Sequence, residues 1–203
     1  MNEVTTLSDS SQTTDNMSIR DLKSVSLKTR RLNIRPLQKK DCNALFKVYS
    51  DFKAMKYWNH SPYETINQAQ LHIEKVLNSI ENNTSLKLAM VQHSSDELIG
   101  TINLFNIHPE SRRAEIGYIL SSSFWGQGLM SEALSAFIDY CFETLRLNRL
   151  EAEINPENEA SSRLLKKCGF KVEGLLKERW IVDGKVTDSE IYGLLSSNIG
   201  IKT

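Results

Sequence analysis

The chain has 203 residues, 40% of them hydrophobic and 25% charged, and its 25 basic residues balance its 25 acidic ones. That length and composition fit one globular domain with enough chain for a core. They exclude a whole-chain electrostatic attraction to nucleic acid or a membrane surface, and no apolar run reaches transmembrane length.

Residues 1–26 are rich in Ser, Thr, Asp and Asn and read as a disordered N-terminal extension to a single domain over 27–203. The start lacks an apolar signal core, so a cytoplasmic location is expected. A strand is predicted from Leu27 to Leu37 by the alternation of Leu32 and Ile34 with polar neighbours, with Pro36 at its end. Asp41 opens a helix with Ala44, Leu45 and Val48 inward, and Trp58 to Pro62 forms a loop in which His60 is a surface residue. Thr65-x-x-Gln68 is a capping box for a second helix carrying Ala69, Ile73, Val76, Leu77 and Ile80 on one face. Strands follow at Leu86 to Val91 and Leu98 to Phe105, joined at Asp96-Glu97, with Gly100 placed for a bulge. Ala114 to Leu120 reads as a buried strand.

Ser123-Phe124-Trp125-Gly126-Gln127-Gly128-Leu129-Met130-Ser131-Glu132-Ala133-Leu134 then turns that strand into a helix with Met130, Leu134, Phe137, Cys141 and Leu145 at spacings of three and four. A glycine turn opening a helix offers free backbone N–H groups and the positive end of a helix dipole, which suit a phosphate. A plain strand-to-helix corner has the same look, and neither Gly-x-Gly-x-x-Gly nor Gly-x-x-x-x-Gly-Lys-Ser/Thr is present. Farther on come a strand from Arg149 to Ile154 and a helix capped by Asn158 and ended by Gly169. A strand opens at Phe170, and Asp183-Gly184 turns a hairpin between Trp180–Val182 and Ser189–Leu195. The predicted order is β-α-α-β-β-β-α-β-α-β-β. Cys42, Cys141 and Cys168 are odd in number, and His60, His72, His93 and His108 are scattered. Neither set has metal-ligand spacing, so no metal is expected, and Cys141 and Cys168, on apolar helix faces, are expected to be buried free thiols.

Four stretches then converge on a family. They are Thr29-Arg30-Arg31-Leu32 with Arg35-Pro36; Glu115-Ile116-Gly117-Tyr118 through Trp125-Gly126-Gln127-Gly128 to Glu132-Ala133; Asn158-x-x-Ser161 through Gly169-Phe170; and the Asp183-Gly184 hairpin with Asp188 and Tyr192. Through them the chain resembles the GNAT acetyltransferases, in the branch of RimJ/RimL-type ribosomal-protein N-terminal acetyltransferases. The resemblance implies an α/β (α+β) GNAT fold, a central mixed and mostly antiparallel sheet flanked by helices, whose splayed central strands hold acetyl-CoA. It implies pyrophosphate on the amides of Gln127, Gly128, Leu129, Met130 and Ser131, and a pantetheine arm along Leu120. It also implies a strand bulge that frees the Leu120 amide for the thioester carbonyl, with Asn158 and Ser161 near the sulfur. Trp125 stands where the wider family has Arg or Gln, and Met130, with its side chain expected in the core, where it has Gly or Ala. Leu165 stands where many relatives have a proton-donating tyrosine, which leaves Ser161 or a water for that work.

Acetyl transfer to an amine requires a proton acceptor. Glu115 on the strand before the turn is the first candidate and Glu178 on the late strand the second; the alternative for each is an exposed or salt-bridged strand glutamate, beside Arg112 and Arg113 in the case of Glu115. Trp58, Tyr63, Tyr118, Glu178, Trp180 and Asp188 are available to line an acceptor groove, although aromatic residues also pack cores. The expected activity is acetyl-CoA-dependent N-acetylation of a primary amine, preferably a protein N-terminal α-amino group. The alternatives are a polyamine or antibiotic acceptor, or a non-catalytic acyl-CoA-binding module. The partner is then the amine substrate, without nucleic acid or membrane, and a homo-oligomer stays open.

Overall fold

A computed structural model of the chain describes residues 25–199. Most of the expected N-terminal extension, residues 1–24, lies outside the described residues, whereas Val25 is already buried in the core.

The first expected strand is two strands, β1 (Leu27–Lys28) and β2 (Leu32–Pro36), separated by a turn at Thr29 to Arg31. Helix α1 (Cys42–Tyr49) starts after Asp41, and a short helix not anticipated from the sequence, α2 (Phe52–Met55), is capped by the Asp51 carboxylate. Helix α3 (Ile66–Glu81) has its Thr65–Gln68 capping box in place and buries Ala69, Ile73, Val76 and Ile80. Strands β3 (Leu86–Gln92), β4 (Leu98–His108) and β5 (Arg113–Leu120) form a meander. Helix α4 (Leu129–Asp139) runs into a π-helical turn over Tyr140–Thr144, and the expected apolar stripe from Met130 to Leu145 is buried. Strand β6 (Arg149–Ile154), helix α5 (Glu159–Lys167), strand β7 (Lys171–Val182) and strand β8 (Lys185–Leu195) complete the chain.

Among the described residues the sheet has eight strands in the order β1-β2-β3-β4-β5-β6-β8-β7, and only β5 and β6 pair in parallel. Helices α1 and α3 pack on one face, against β4 and β3. Helix α4 crosses the other face between the parallel pair, as a right-handed connection requires, and reaches β2. The bulge expected at Gly100 falls at its neighbour Ile99, where β3 pairs Met90 with Gly100 and Val91 with Leu98. Gly100 is needed for another reason, since a Cβ there would stand 2.3 Å from the Ile119 carbonyl oxygen of β5.

Candidate active site

Strand β5 is a fork. It pairs with β6 only at Arg113, Ala114 and Glu115, opposite Arg149, Leu150 and Glu151, while it stays paired with β4 as far as Leu120. The Ser121 N–H donates to the Ile99 carbonyl at 2.9 Å, so the alternation of an antiparallel ladder turns the N–H groups of Ile116, Tyr118 and Leu120 away from β4 and into the opening. The bulge expected in this strand is absent: β5 keeps an unbroken register with β4 from Glu115 to Leu120. The amides are freed because β6 leaves to follow β8 out to Ile154 opposite Glu190.

At the outer end of the fork lies the glycine turn. Gly126 and Gly128 both have φ of +74°, a left-handed conformation that costs an L-residue about 1–2 kcal/mol. Gly128 is the N-cap of α4, and the first helical bond runs from Glu132 N–H to its carbonyl, which leaves the amides of Leu129, Met130 and Ser131 without helical acceptors. Leu129 and Met130 are buried, Met130 as its place in the motif required. The Trp125 indole N–H donates to the Leu120 carbonyl at 2.8 Å and ties the turn to the end of β5. Arg31 completes this end. Its Nε bonds Glu132 Oε2 at 2.8 Å, another guanidinium nitrogen bonds the Gln127 carbonyl at 2.8 Å, and a third lies 3.6 Å from where a Gly128 Cβ would stand. Free amides, an open Cα approach and a cation make a cradle that fits a pyrophosphate.

Ala114, Ile116, Tyr118 and Leu120 project from the α4–α5 face of β5. Asn158 caps α5 by accepting the Ser161 N–H at 3.1 Å. Helix α5 is pinned to the sheet by Ser162, whose hydroxyl meets the Tyr192 hydroxyl at 2.8 Å. The Tyr118 hydroxyl lies beside Ser161, yet it is buried without a hydrogen-bond partner among the described residues. Burial pushes its pKa up well above the ordinary tyrosine value, by more than the nearby Ser161 lowers it.

Glu115, Gly117 and Ile119 lie on the opposite face, towards α1 and α3, because Thr101, the partner of Ile119, meets Tyr49 of α1 there at 3.1 Å and the face repeats every second residue. Glu115 takes its hydrogen bond from the Asn106 side chain at 2.9 Å, while Arg113 pairs with Glu151, so an ion pair of Glu115 with Arg112 or Arg113 is not formed. Opposite Gly117 stands Asn103, whose Oδ1 is buried and unpartnered among the described residues. Beyond it a cavity of about 400 Å³ is lined by Tyr49, Trp58, His60, Tyr63, His72 and Lys87, with Gln68, Leu71 and Lys75 at its α3 side. His60 lies in its loop half-buried, stacking on Tyr49 and Tyr63 at ring-centroid distances of 6.4 and 5.9 Å. The loop bearing it is fastened to the β7–β8 hairpin by the Ser61 hydroxyl, 2.7 Å from Asp183 Oδ1.

A family model for the acetyltransferase (GNAT) domain matches residues 31–171. The chain belongs to the GNAT acetyltransferase family. It is 36% identical over 170 residues to the uncharacterized N-acetyltransferase p20 of Bacillus licheniformis, covering 84% of this chain and 96% of that one. It is 36% identical over 97 residues, 48% of this chain and 54% of the other, to the ribosomal-protein-serine acetyltransferase of Escherichia coli. The structure of spermidine N-acetyltransferase from Vibrio cholerae in complex with CoA and spermine superposes with a TM-score of 0.73 at 26% identity, over 82% of this chain and 96% of that one. This GNAT protein is therefore an N-acetyltransferase with acetyl-CoA as its co-substrate. Among the described residues no cluster of His, Cys, Asp or Glu could hold a metal, and no helix is long and apolar enough to cross a membrane.

Of the residues expected at the GNAT site, the fork and turn bring Leu120 and Gln127 to Ser131 to one end, and α5 brings Asn158 and Ser161 alongside Tyr118. Tyr118 thus stands on the α5 side of the sheet and not in an acceptor groove. Trp58 and Tyr63 line the cavity, but Glu178, Trp180 and Asp188 do not. Glu178 sits exposed at φ +52° in a break of β7, with its N–H on Asp188 Oδ1 at 2.8 Å, and the Trp180 indole is tied to Glu153 of β6 at 2.6 Å. Asn103, His72 and Lys87 were missed. The available signal was Lys87 itself, a cation inside the otherwise apolar run Leu86-Lys87-Leu88-Ala89.

Proposed function

We propose that this acetyltransferase acts on an α-amino group, with a peptide N-terminus preferred over a polyamine or an aminoglycoside. The observation that carries this reading is the pair of oxygen acceptors on the α1–α3 face where the fork begins, Glu115 and Asn103 Oδ1, the latter unpartnered among the described residues. An amine nitrogen donates to Asn103 Oδ1 and loses its proton to the Glu115 carboxylate. A carboxylate is a weak base, and it suffices for an α-amino group with a pKa of ~7.7–8.0, of which an appreciable fraction is neutral near pH 7. The amines of spermidine, nearer the lysine value of about 10.4, would need a stronger base.

Acetyl-CoA supplies the activated thioester, and the residues that would hold it are those of the cradle, the fork and the α5 cap. Three residues at roughly 3.3 Å each put Tyr118 about 10 Å along the strand from Glu115, whereas Leu120 lies about 17 Å away. A base and an amide acting on one carbonyl must both reach it. The Tyr118 N–H therefore polarises the carbonyl, and the Leu120 N–H serves the pantetheine arm. The Tyr118 hydroxyl, with Ser161 beside it, takes over the proton-donating role that Leu165 cannot fill. Glu178, exposed on the hairpin, is the lesser candidate for the base.

The test is competition at neutral pH between a Ser- or Ala-initiated peptide, spermidine and an aminoglycoside, with CoA release and product masses as readout. The peptide is expected to dominate. Turnover of spermidine or the aminoglycoside about tenfold faster than every peptide would overturn the α-amino reading.

A further inference from the structure

Next to the proposed amine site lies a cavity with the opposite electrostatic character. Lys87 of β3 is paired directly with Asn103 of β4, so the two residues stand on one sheet face a strand spacing apart, about 4.8 Å. The Lys87 ammonium bonds the Tyr49 hydroxyl at 3.2 Å and His72 Nε2 at 2.8 Å, and no carboxylate among the described residues lies within 4.0 Å of it.

An ammonium is only a donor, so His72 Nε2 accepts and its proton sits on Nδ1, which donates to the Tyr63 hydroxyl at 2.7 Å. Burial first, and the charge of Lys87 after it, hold the His72 pKa down to about 3, so the ring stays neutral in that role. Burial pushes the Tyr63 pKa up to about 12, which keeps its own O–H available as a donor. The lining thus offers an ammonium proton, a phenol proton, the Gln68 amide and the Lys75 ammonium, together with the faces of Trp58, His60 and Tyr63, and includes no Asp or Glu. Such a set repels a polycation and is under-satisfied without an anion.

We infer that the cavity around Lys87, His72 and Tyr63 binds an anionic group of the acceptor, so the preferred substrate is a primary amine that also bears a carboxylate. This rests on the acetyltransferase reading above. The spacing between Lys87 and the Asn103–Glu115 acceptors favours a carboxylate on a neighbouring residue, and an N-terminal peptide with acidic residues just after the first is the preferred form. A free amino acid is the other source of the same chemistry.

The experiment uses matched peptides beginning Ser-Glu-Glu, Ser-Gln-Gln and Ser-Lys-Lys, with free glutamate and tryptophan as small-molecule arms. Acetylation is followed at low salt in wild type, Lys87→Gln and Lys75→Gln. The acidic peptide is expected to have a kcat/KM about tenfold above the neutral one and higher still against the basic one. Lys87→Gln should reduce the acidic-over-neutral kcat/KM ratio to within about twofold, whatever it does to the turnover common to both peptides. Lys75→Gln, at an exposed position that tolerates change, should reduce it partly. Calorimetric binding of the already N-acetylated acidic peptide gives a readout independent of turnover and should show the same dependence on Lys87. If that binding is present but no amine is acetylated, the cavity assignment stands and the α-amino reading falls. Turnover without charge preference, a preference for the basic peptide, or a preference that survives both lysine substitutions overturns the cavity assignment. Faster turnover of free glutamate than of any peptide keeps the anion site and replaces the peptide by the amino acid.

Discussion

Glu132 offers a direct measure of how firmly the cradle is built. It accepts the Thr29 hydroxyl at 2.6 Å and the Arg31 backbone N–H and Nε at 2.8 Å each. Burial acts to raise its pKa, but the Thr29 hydroxyl and then Arg31 outweigh it and hold the carboxyl at about 2, against an ordinary 4.5. At about 1.4 kcal/mol per pH unit, this is worth roughly 3 kcal/mol of folding stability when the group is ionised. The side chains of the pair are 33% and 18% exposed, so solvent screening brings the expected figure to about 2 kcal/mol. A depressed carboxylate stabilises fully above its unfolded pKa and loses that contribution as pH falls through the folded one. Glu132→Gln should therefore cost about 2 kcal/mol at pH 7, shrink to less than half of that by pH 3 and to a few tenths of a kcal/mol by pH 2. Urea unfolding of both proteins at constant ionic strength from pH 7 to pH 2 measures it. A loss below about 0.5 kcal/mol at pH 7, or one unchanged between pH 7 and pH 3, would refute the linkage.

Tyr118→Phe should lower kcat by about 10–100-fold with little change in the KM for acetyl-CoA. Because the hydroxyl it removes is buried and has no hydrogen-bond partner among the described residues, its melting temperature should be equal or higher; a kcat within twofold of wild type would remove Tyr118 from the proton path. In wild type, CoA at roughly 100 times its dissociation constant should add about 2.7 kcal/mol of stability. Gly128→Val, which forces a branched side chain to φ +74° beside Arg31, should lose that ligand-induced increment whatever it does to the unliganded protein; a full increment in the variant would place the pyrophosphate elsewhere.

Local patterning made most of the scaffold legible. Capping residues marked α3 and α5, and a three-to-four periodicity marked α4, because these signals are written within a few residues. Helix α2 escaped because one turn has no periodicity; its cap, Asp51, is recognisable only once its other carboxylate oxygen is seen to accept the distant Ser122 N–H at 2.7 Å. The fork was anticipated through the family resemblance, but its cause was not. A bulge is a local event, whereas the departure of β6 follows from its continued pairing with β8, some forty residues away in the chain. The same limit hid the Lys87–His72–Tyr63 chain, which joins β3, α3 and the loop before it through side chains alone.

Strand geometry explains why one short stretch of β5 can serve both partners of the proposed reaction. Glu115 and Tyr118 are three residues apart, an odd interval, so their side chains leave opposite faces of the sheet. Glu115 then stands with Asn103 on the α1–α3 face, where an amine can approach, and the Tyr118 hydroxyl stands beside Ser161 on the α5 face, where the leaving sulfur belongs. Between them runs the backbone whose N–H groups point into the fork, in the plane of the sheet and towards neither face. Base and acid thus address one carbonyl from opposite faces and the amide donor from the plane between them, without competing for space. An even interval would put both side chains on one face. Because β6 releases β5 immediately after Glu115, the opening begins at the first residue that can use it.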